Sequence, residues 1–448
     1  MDLIRRVGIN PVPFDKNKDP ENPCTSRLFG VLLFAIYLKF PFAHAILVSI
    51  LKEVKSMNLK YITPEIHDHI LQTAHSLHRQ PEISNQEYKT TEFLFRELKK
   101  LDIEIPESQP STGVIGLLRG KLPGPTIALR ADIDALPIDE TPEHEIKSEI
   151  PNVMHACGHD FHTASLLGAA MALSSRREEL TGNVLFLFQP AEEQCGGALE
   201  IISTGIFDQY PPSAFFSLHV MPDIPLGRVG IRPGPMMAAQ ACFRIRICGK
   251  GGHGALPHLS KNPIIAAARI IDALQWIRAQ WADPTEPFAL SVCSIHGGSA
   301  CNIIPDAVEL EGTYRYALDS YGQEVKQHVI RIAEAAALSH GCTAECSFFR
   351  EIFPLVNDNH LTNLARTAAS GIFGENNLFI QDFRMISEDF GFYRKVAPIF
   401  MYHVGTGAQD GSSPGLHNFR FLVPDDAGAL CAELMTATAL EALQHTQL

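Results

Sequence analysis

Residues 154–162 read Met-His-Ala-Cys-Gly-His-Asp-Phe-His, which places His155, Cys157, His159 and His162 in one short stretch. Every buried imidazole needs a hydrogen-bond partner, so a cluster this dense is hard to explain as core packing, and its donors suit a metal ion. A second element, Gln189-Pro190-Ala191-Glu192-Glu193, follows the apolar run 183–189 (NVLFLFQ). Adjacent residues on a regular strand point to opposite faces, so the two carboxylates can share a site only if the backbone leaves strand geometry, as Pro190 encourages. One could then ligate metal while the other moves a proton; a solvated acidic turn is the plainer reading of a Glu-Glu pair. His219, in FFSLHVMP, and His417, in GLHN, complete the donors. A lone histidine at either place is more often structural. Taken with Cys157, His159 and a glutamate, however, they supply N, S and O donors suited to two divalent ions sharing a bridging group. The H-E-x-x-H helix of common mononuclear peptidases is absent. A Cys-His hydrolase is a formal competitor, but it leaves Glu192, Glu193 and His219 without a purpose.

The elements that must position these residues alternate between helix and strand. Apolar residues recur at helical spacing over 66–77, 87–101 and 163–177, while 113–119, 126–130, 183–189 and 214–220 read as strands, the last two as buried runs. The pattern predicts an α/β fold: a catalytic domain with a central sheet flanked by helices and chemistry at loops beyond the strand ends. The cluster at 154–162 is expected in a loop before a helix beginning near Thr163, where a thiolate is electrostatically favoured. Between 239 and 352 the rhythm changes. Strand patterns at 241–248, 288–295, 308–316 and 343–350 and helical patterns at 263–279 and 323–340 give the order β-α-β-β-α-β, a ferredoxin-like unit inserted into the first domain. The expected domains are therefore 57–238 with 353–448, interrupted by 239–352.

The 448 residues suffice for two or three units of ordinary domain size. A hydrophobic share of 46% with 19% charged residues excludes general disorder and a polytopic membrane protein. Lys and Arg total 37 against 50 Asp and Glu, a net charge of −13, so nucleic acid is not an expected partner. The ten scattered cysteines read as mostly reduced residues of a cytoplasmic chain. Residues 1–56 form an N-terminal extension whose apolar runs, 28–38 and 40–51, are separated by Lys39. They could serve as a signal or anchor, or the extension could be an upstream addition to a domain starting at Met57.

Several segments resemble the amidohydrolase branch of the dinuclear aminoacylase and carboxypeptidase metallopeptidase family. That branch includes hippurate hydrolases, indole-acetyl-amino acid hydrolases and N-acetyldiaminopimelate deacetylases. The segments are RADIDALP at 130–137, HACGHDFH at 155–162, QPAEE at 189–193, SLHVMP at 217–222, GKGGHGALPH at 249–258, NIIPD at 302–306, SEDFGFY at 387–393 and GLHN at 415–418. They stand in family order, and the resemblance covers about residues 57–445.

The resemblance implies a metal-dependent N-acyl-L-amino acid amidohydrolase releasing a carboxylic acid and a free amino acid. Lysine-biosynthetic deacetylation of N-acetyldiaminopimelate, and a catalytically silent metal- or ligand-binding relative, are the alternatives. It further implies two divalent ions per subunit, Zn, Mn or Co, held by Cys157 as bridge with His159, Glu193, His219 and His417. Glu192 would be the general base. Asp132 falls where the family has an acidic residue orienting a ligand, and Arg130 where other branches have a metal histidine. His253 resembles a histidine of the inserted lid that reaches the substrate carbonyl, often in the partner subunit's site. Asn302 and Arg315 match positions associated with the substrate carboxylate, although strand alternation would equally face Arg315 to solvent. Glu388 is assigned a supporting place behind the ligands. The inserted unit is expected to serve as both lid and dimerisation domain of a homodimer.

Overall fold

The apolar runs expected as buried strands lie inside a seven-stranded mixed sheet in a computed structural model that describes residues 59–445. The extension 1–56, with its two apolar runs, lies outside the described residues. The sheet comprises β1 (Val114–Arg119), β2 (Leu122–Asp132), β3 (Thr181–Gln189), β4 (Ala214–Pro225), β5 (Val229–Ile231), β14 (Leu378–Ile380) and β15 (Ile399–Gly407). Their order is β1-β3-β2-β4-β15-β5-β14. The central strands β3, β2, β4 and β15 run parallel, while β1 is an antiparallel edge. Phe186, Phe188, Phe215 and Phe216 are fully or almost fully buried because helices and loops cover both faces. Among the described residues no helix is long and apolar enough to cross a membrane.

Helix α1 (Pro64–Arg79) starts where Thr63 accepts the amide of Ile66 and proline occupies the first turn, both favourable at a helix N-terminus. Helices α2 (Tyr88–Lys100) and α3 (His159–Ser174) follow. Along α3 nearly every residue is buried, and the helix packs between α1 and the C-terminal α8 (Asp426–His445). The entry of the chain is clamped by the buried Glu433 of α8, whose carboxylate accepts the amides of Lys60, Tyr61 and Ile62 at 2.8–3.0 Å. Short helix α4 (Gly197–Ser203) and helix α7 (Asn359–Phe373) complete the layers.

One expectation is corrected here. The helix near Thr163 begins four residues earlier, at His159, because Gly158 adopts φ +86 and turns the chain into the helix. A side chain at position 158 would come within 2.5 Å of Val220, so glycine is required both for the conformation and for the space. His159 and His162 are therefore helical residues three apart, sharing one helix face.

Residues between Ala239 and Ile352 form a separate four-stranded antiparallel sheet, with strands in the order Thr343–Ile352, Ala239–Cys248, Ala307–Tyr316 and Phe288–His296. Its strands are β7 (Ala239–Cys248), β9 (Phe288–His296), β11 (Ala307–Tyr316) and β12 (Thr343–Ile352). Helices α5 (Pro263–Trp276) and α6 (Asp319–Ser339) cover the face carrying Phe243, Ile245, Leu310 and Tyr314, and form with it a core of their own. The chain enters and leaves this region through a two-stranded pair, β6 (Gly234–Met237) and β13 (Leu355–Asn357). Strands β8 (Gly252–His253) and β10 (Ile303–Ile304) form a small ribbon.

Candidate metal centre

Strand β3 ends at Gln189, and the next residues abandon extended geometry: Ala191 has φ +50 and Cys195 φ +61. Such left-handed conformations at non-glycine residues are strained and persist only when their surroundings enforce them. Here the buried Glu87 carboxylate accepts the Ala191 amide at 2.9 Å. At Gly197 a Cβ would sit 1.6 Å from the carbonyl oxygen of Pro190, so only glycine permits the loop to fold back. This bend frees neighbouring Glu192 and Glu193 from opposite strand faces.

Register brings further donors together. Asp132 pairs with Gln189 across β2 and β3, and Arg130, two residues earlier, pairs with Ser217, two residues before His219. Directly paired residues of neighbouring strands face the same way, so Asp132 and His219 share a face at adjacent strand positions. Ligand atoms of Asp132, His159, His162 and His219 lie within 4.8 Å of one another, as do those of Cys157, Glu193 and His417, and those of His159, Glu192 and Glu193. All five ligands expected from the sequence, together with Glu192, thus belong to overlapping groups.

The second nitrogen of each imidazole decides what the first can do. His159 donates from Nδ1 to the Asp134 backbone oxygen at 2.9 Å and lies 3.2 Å from Asp134 Oδ1. Its Nε2 is buried without a hydrogen-bond partner and stands 3.5 Å from Asp132 Oδ2. His219 donates from Nδ1 to the Val220 carbonyl at 2.7 Å, leaving Nε2 at 3.4 Å from the Cys157 sulfur. His417 Nε2 is 3.2 Å from Glu193 Oε1, itself buried and without a hydrogen-bond partner. Unpartnered nitrogen and oxygen lone pairs converging with a sulfur fit a divalent cation, whose charge would compensate the buried acceptors. His162 differs: its Nε2 accepts the Val220 amide at 3.0 Å, and its Nδ1 donates to Asp132 Oδ1 at 2.6 Å, so both nitrogens are used. His155 is buried apart from these groups, and burial pushes it down to about 4.

The protein's own charges shape this cluster. Burial, then the negative charge of Glu193, raises the Cys157 thiol, opposite in direction to the helix-end effect. Glu192 is raised by burial and then by Glu388, Glu193 and Asp389, which strengthens its hold on a proton it accepts. The Cys157 sulfur and the Glu193 carboxylate push His417 up to about 10. Behind Glu192 lies the fully buried Arg130, donating to Gln189 at 3.0 Å, Asp132 at 2.8 Å, Glu388 at 2.9 Å and Asp389 at 3.0 Å. Glu388 therefore touches Arg130, and Asp389 presents its amide 3.4 Å from Glu192 Oε1.

Three residues expected at the site stand outside these groups. His253 is exposed on β8, where its Nδ1 accepts the Ala255 amide at 3.1 Å. Asn302 is exposed beside β10, its backbone oxygen accepting the Gly254 amide at 2.8 Å. Arg315 is half-buried on β11 and donates to Met385 O at 3.1 Å and Ser387 Oγ at 2.7 Å. It thus reaches across to the segment that carries Glu388.

Sequence reasoning missed Asp134, the Asp389 link and the consumption of His162. A signal existed for the first: Asp132 and Asp134 stand two apart on extended chain and can face one side. For Asp389 there was none, because its partners are distant in sequence.

Comparison with known proteins places the chain in a family. A family model described as Peptidase family M20/M25/M40 matches residues 128–441. The chain is 37% identical over 379 residues to N-acetylcysteine deacetylase from Bacillus subtilis (strain 168), covering 84% of this chain and 98% of the relative. It is 40% identical over 301 residues to N-acyl-L-amino acid amidohydrolase from Geobacillus stearothermophilus, covering 67% and 80% respectively. The solved structure of the Bacillus subtilis YXEP protein, a dinuclear metal binding peptidase from the M20 family, superposes with TM-score 0.75 at 35% identity, covering 85% of this chain and 99% of that one.

Proposed function

The chain belongs to peptidase family M20/M25/M40, a metal-dependent hydrolase family, and from that premise we propose that it is an N-acyl-L-amino acid amidohydrolase. It adds water across an amide, breaking the C–N bond to release a carboxylic acid and a free amino acid. The observation that carries the reading is the convergence of Cys157, His159, Glu193, His219 and His417 beside a buried Glu192. These five residues would hold two divalent ions, Zn, Mn or Co. Bound ions at such a cluster supply Lewis acidity for hydrolysis.

Glu192 serves as the base, taking a proton from water onto its carboxylate and returning it to the departing amine. The burial and neighbouring carboxylates that raise its proton affinity suit a group that must both accept and give. Arg130 holds Asp132, Glu388 and Asp389 around it. Asp132 orients His162 and faces His159. Arg315 and Asn302 bind the substrate carboxylate, a role supported for Arg315 by its half-buried reach toward Ser387.

Residues 239–352 act as a lid and dimerisation domain, with 57–238 and 353–448 forming the catalytic domain. The separate sheet and core of the former support this division. Strand β9 is an edge among the described residues, and Leu256, Leu259, Ile264, Ile265 and Ile303 are exposed apolar residues of the same region. A homodimer through this region should show twice the chain mass in sedimentation, and a monomer at working concentrations would exclude it. Within the lid, His253 donates to the developing oxyanion. His253→Ala is expected to keep its metal content while turnover falls about 10²–10³-fold, the usual cost of such a donor. Unchanged turnover would remove His253 from the reaction.

The substrate reading is tested by incubating the purified chain with N-acetyl, N-benzoyl and indole-acetyl amino acids under Zn²⁺, Mn²⁺ or Co²⁺ and measuring free amino acid. Hydrolysis in at least one series is expected. Release confined to N-acetyldiaminopimelate would move the assignment to that deacetylase. No release by metal-loaded protein would indicate a silent relative.

A further inference from the structure

Asp134 is almost completely buried just beyond the end of β2, and its oxygens are occupied by partners from three separate parts of the chain. The His159 Nδ1 group contacts its backbone oxygen and Oδ1 at 2.9 and 3.2 Å. The Glu193 amide donates to Oδ2 at 3.1 Å, and the Ser84 hydroxyl donates to the same oxygen at 2.6 Å. The backbone on either side is fastened too: Ile133 donates to Gln189 O at 3.0 Å, and Ala135 to Glu82 O at 2.8 Å. One carboxylate therefore ties the helix carrying His159, the strained loop carrying Glu193 and the turn between α1 and α2.

We infer that Asp134 is the positioning residue that organises His159 and Glu193 as a pair for metal binding. The inference rests on reading those two residues as ligands. Accepting the Nδ1 proton sets the tautomer of His159 so that its lone pair lies on Nε2, the atom left without a partner in the buried cluster. Accepting the Glu193 amide fixes the backbone from which the Glu193 carboxylate projects, and that carboxylate presents a buried oxygen, Oε1, that has no hydrogen-bond partner and faces the proposed ligand His417 at 3.2 Å. A group that sets only one ligand would perturb one donor. Asp134 sets a nitrogen and an oxygen donor that approach within 4.8 Å of each other, so it governs their mutual geometry. Ser84 acts behind it by holding Oδ2 in the orientation that receives the Glu193 amide.

The test uses the full chain stripped of metal and titrated with Zn²⁺ alone and Mn²⁺ alone in competition with a chelating dye. Asp134→Asn keeps the size of the side chain, and its backbone oxygen can still accept from His159. The variant loses the charge and one of the two acceptor oxygens that now divide His159 from Glu193 and Ser84. Its affinity is expected to fall about 10–100-fold, the range typical of residues that orient metal ligands. Ser84→Ala should weaken binding by a few-fold with the fold intact, and it decides the matter if Asp134→Asn does not fold. Thermal melting of the metal-free variants separates the readings: a merely structural role lowers the melting temperature and leaves affinity alone. Affinity within twofold of the parent in a folded Asp134→Asn, or in Ser84→Ala where only that variant folds, overturns the inference. His159→Ala is the control for its premise. Loss of metal there with normal binding in Asp134→Asn rejects only the positioning role, whereas normal binding in His159→Ala rejects the ligand assignment itself.

Discussion

Glu192→Gln is expected to retain the metal content of the parent chain while losing turnover by about 10²–10⁴-fold, the usual contribution of a positioned acid-base group. Glu193→Gln is expected to lose both metal and activity. The two side chains differ in what surrounds them, although they are neighbours in sequence. Glu193 Oε1 is buried without a hydrogen-bond partner and faces His417 at 3.2 Å, as a ligand oxygen should. Glu192 lies between the ligand cluster and the Arg130 network, where it has the Asp389 amide at 3.4 Å and Glu388 and Asp389 as neighbours. Removing its charge leaves every proposed ligand in place. Metal analysis by mass spectrometry, with turnover of the best substrate measured on the same samples, checks the split; equal metal loss in both variants would reject it.

The second large effect concerns Cys157. Chelation is expected to abolish turnover, and restoring Zn²⁺, Mn²⁺ or Co²⁺ should recover it. Cys157→Ser should weaken metal binding by about tenfold or more, since a thiolate shared by two ions would contribute to the binding of both and a serine hydroxyl does not ionise at neutral pH. The geometry supporting this is the buried sulfur 3.4 Å from His219 Nε2 and grouped with Glu193 and His417. The same experiment separates the competing use of this residue. A hydrolase with Cys157 as nucleophile would survive the chelator and be killed by alkylation or by the serine substitution. Activity that persists in metal-free protein would therefore displace the metal reading.

Much of this site was legible from local pattern. The residue types at 155–162, 189–193, 219 and 417 are those that bind divalent ions, and the buried strands before Glu192 and around His219 are visible as short apolar runs. The start of α3 was less so, because Gly158 enters the helix through a left-handed conformation that depends on Val220 packing against it. His253 and Asn302 were named from resemblance, and they stand exposed beyond the ligand groups, His253 on the small ribbon and Asn302 just before its second strand. Nearness to a helix N-terminus favours a thiolate at Cys157, while burial and the charge of Glu193 act in the other direction.

What the sequence by itself determined is the inventory: alternating helices and strands, a second β-α-β-β-α-β stretch, and donors of the right chemistry at the ends of buried strands. These follow from periods of two and 3.6 residues and from side-chain chemistry, which are local properties. Only the tertiary structure decided which histidines of the cluster can serve. His159 is available because Asp134 takes its Nδ1 proton, His162 is consumed by Asp132 and the Val220 amide, and His155 is buried elsewhere. The physical reason is that an imidazole's second nitrogen is free or occupied according to what its first nitrogen bonds, and that partner arrives from strands and loops remote in sequence.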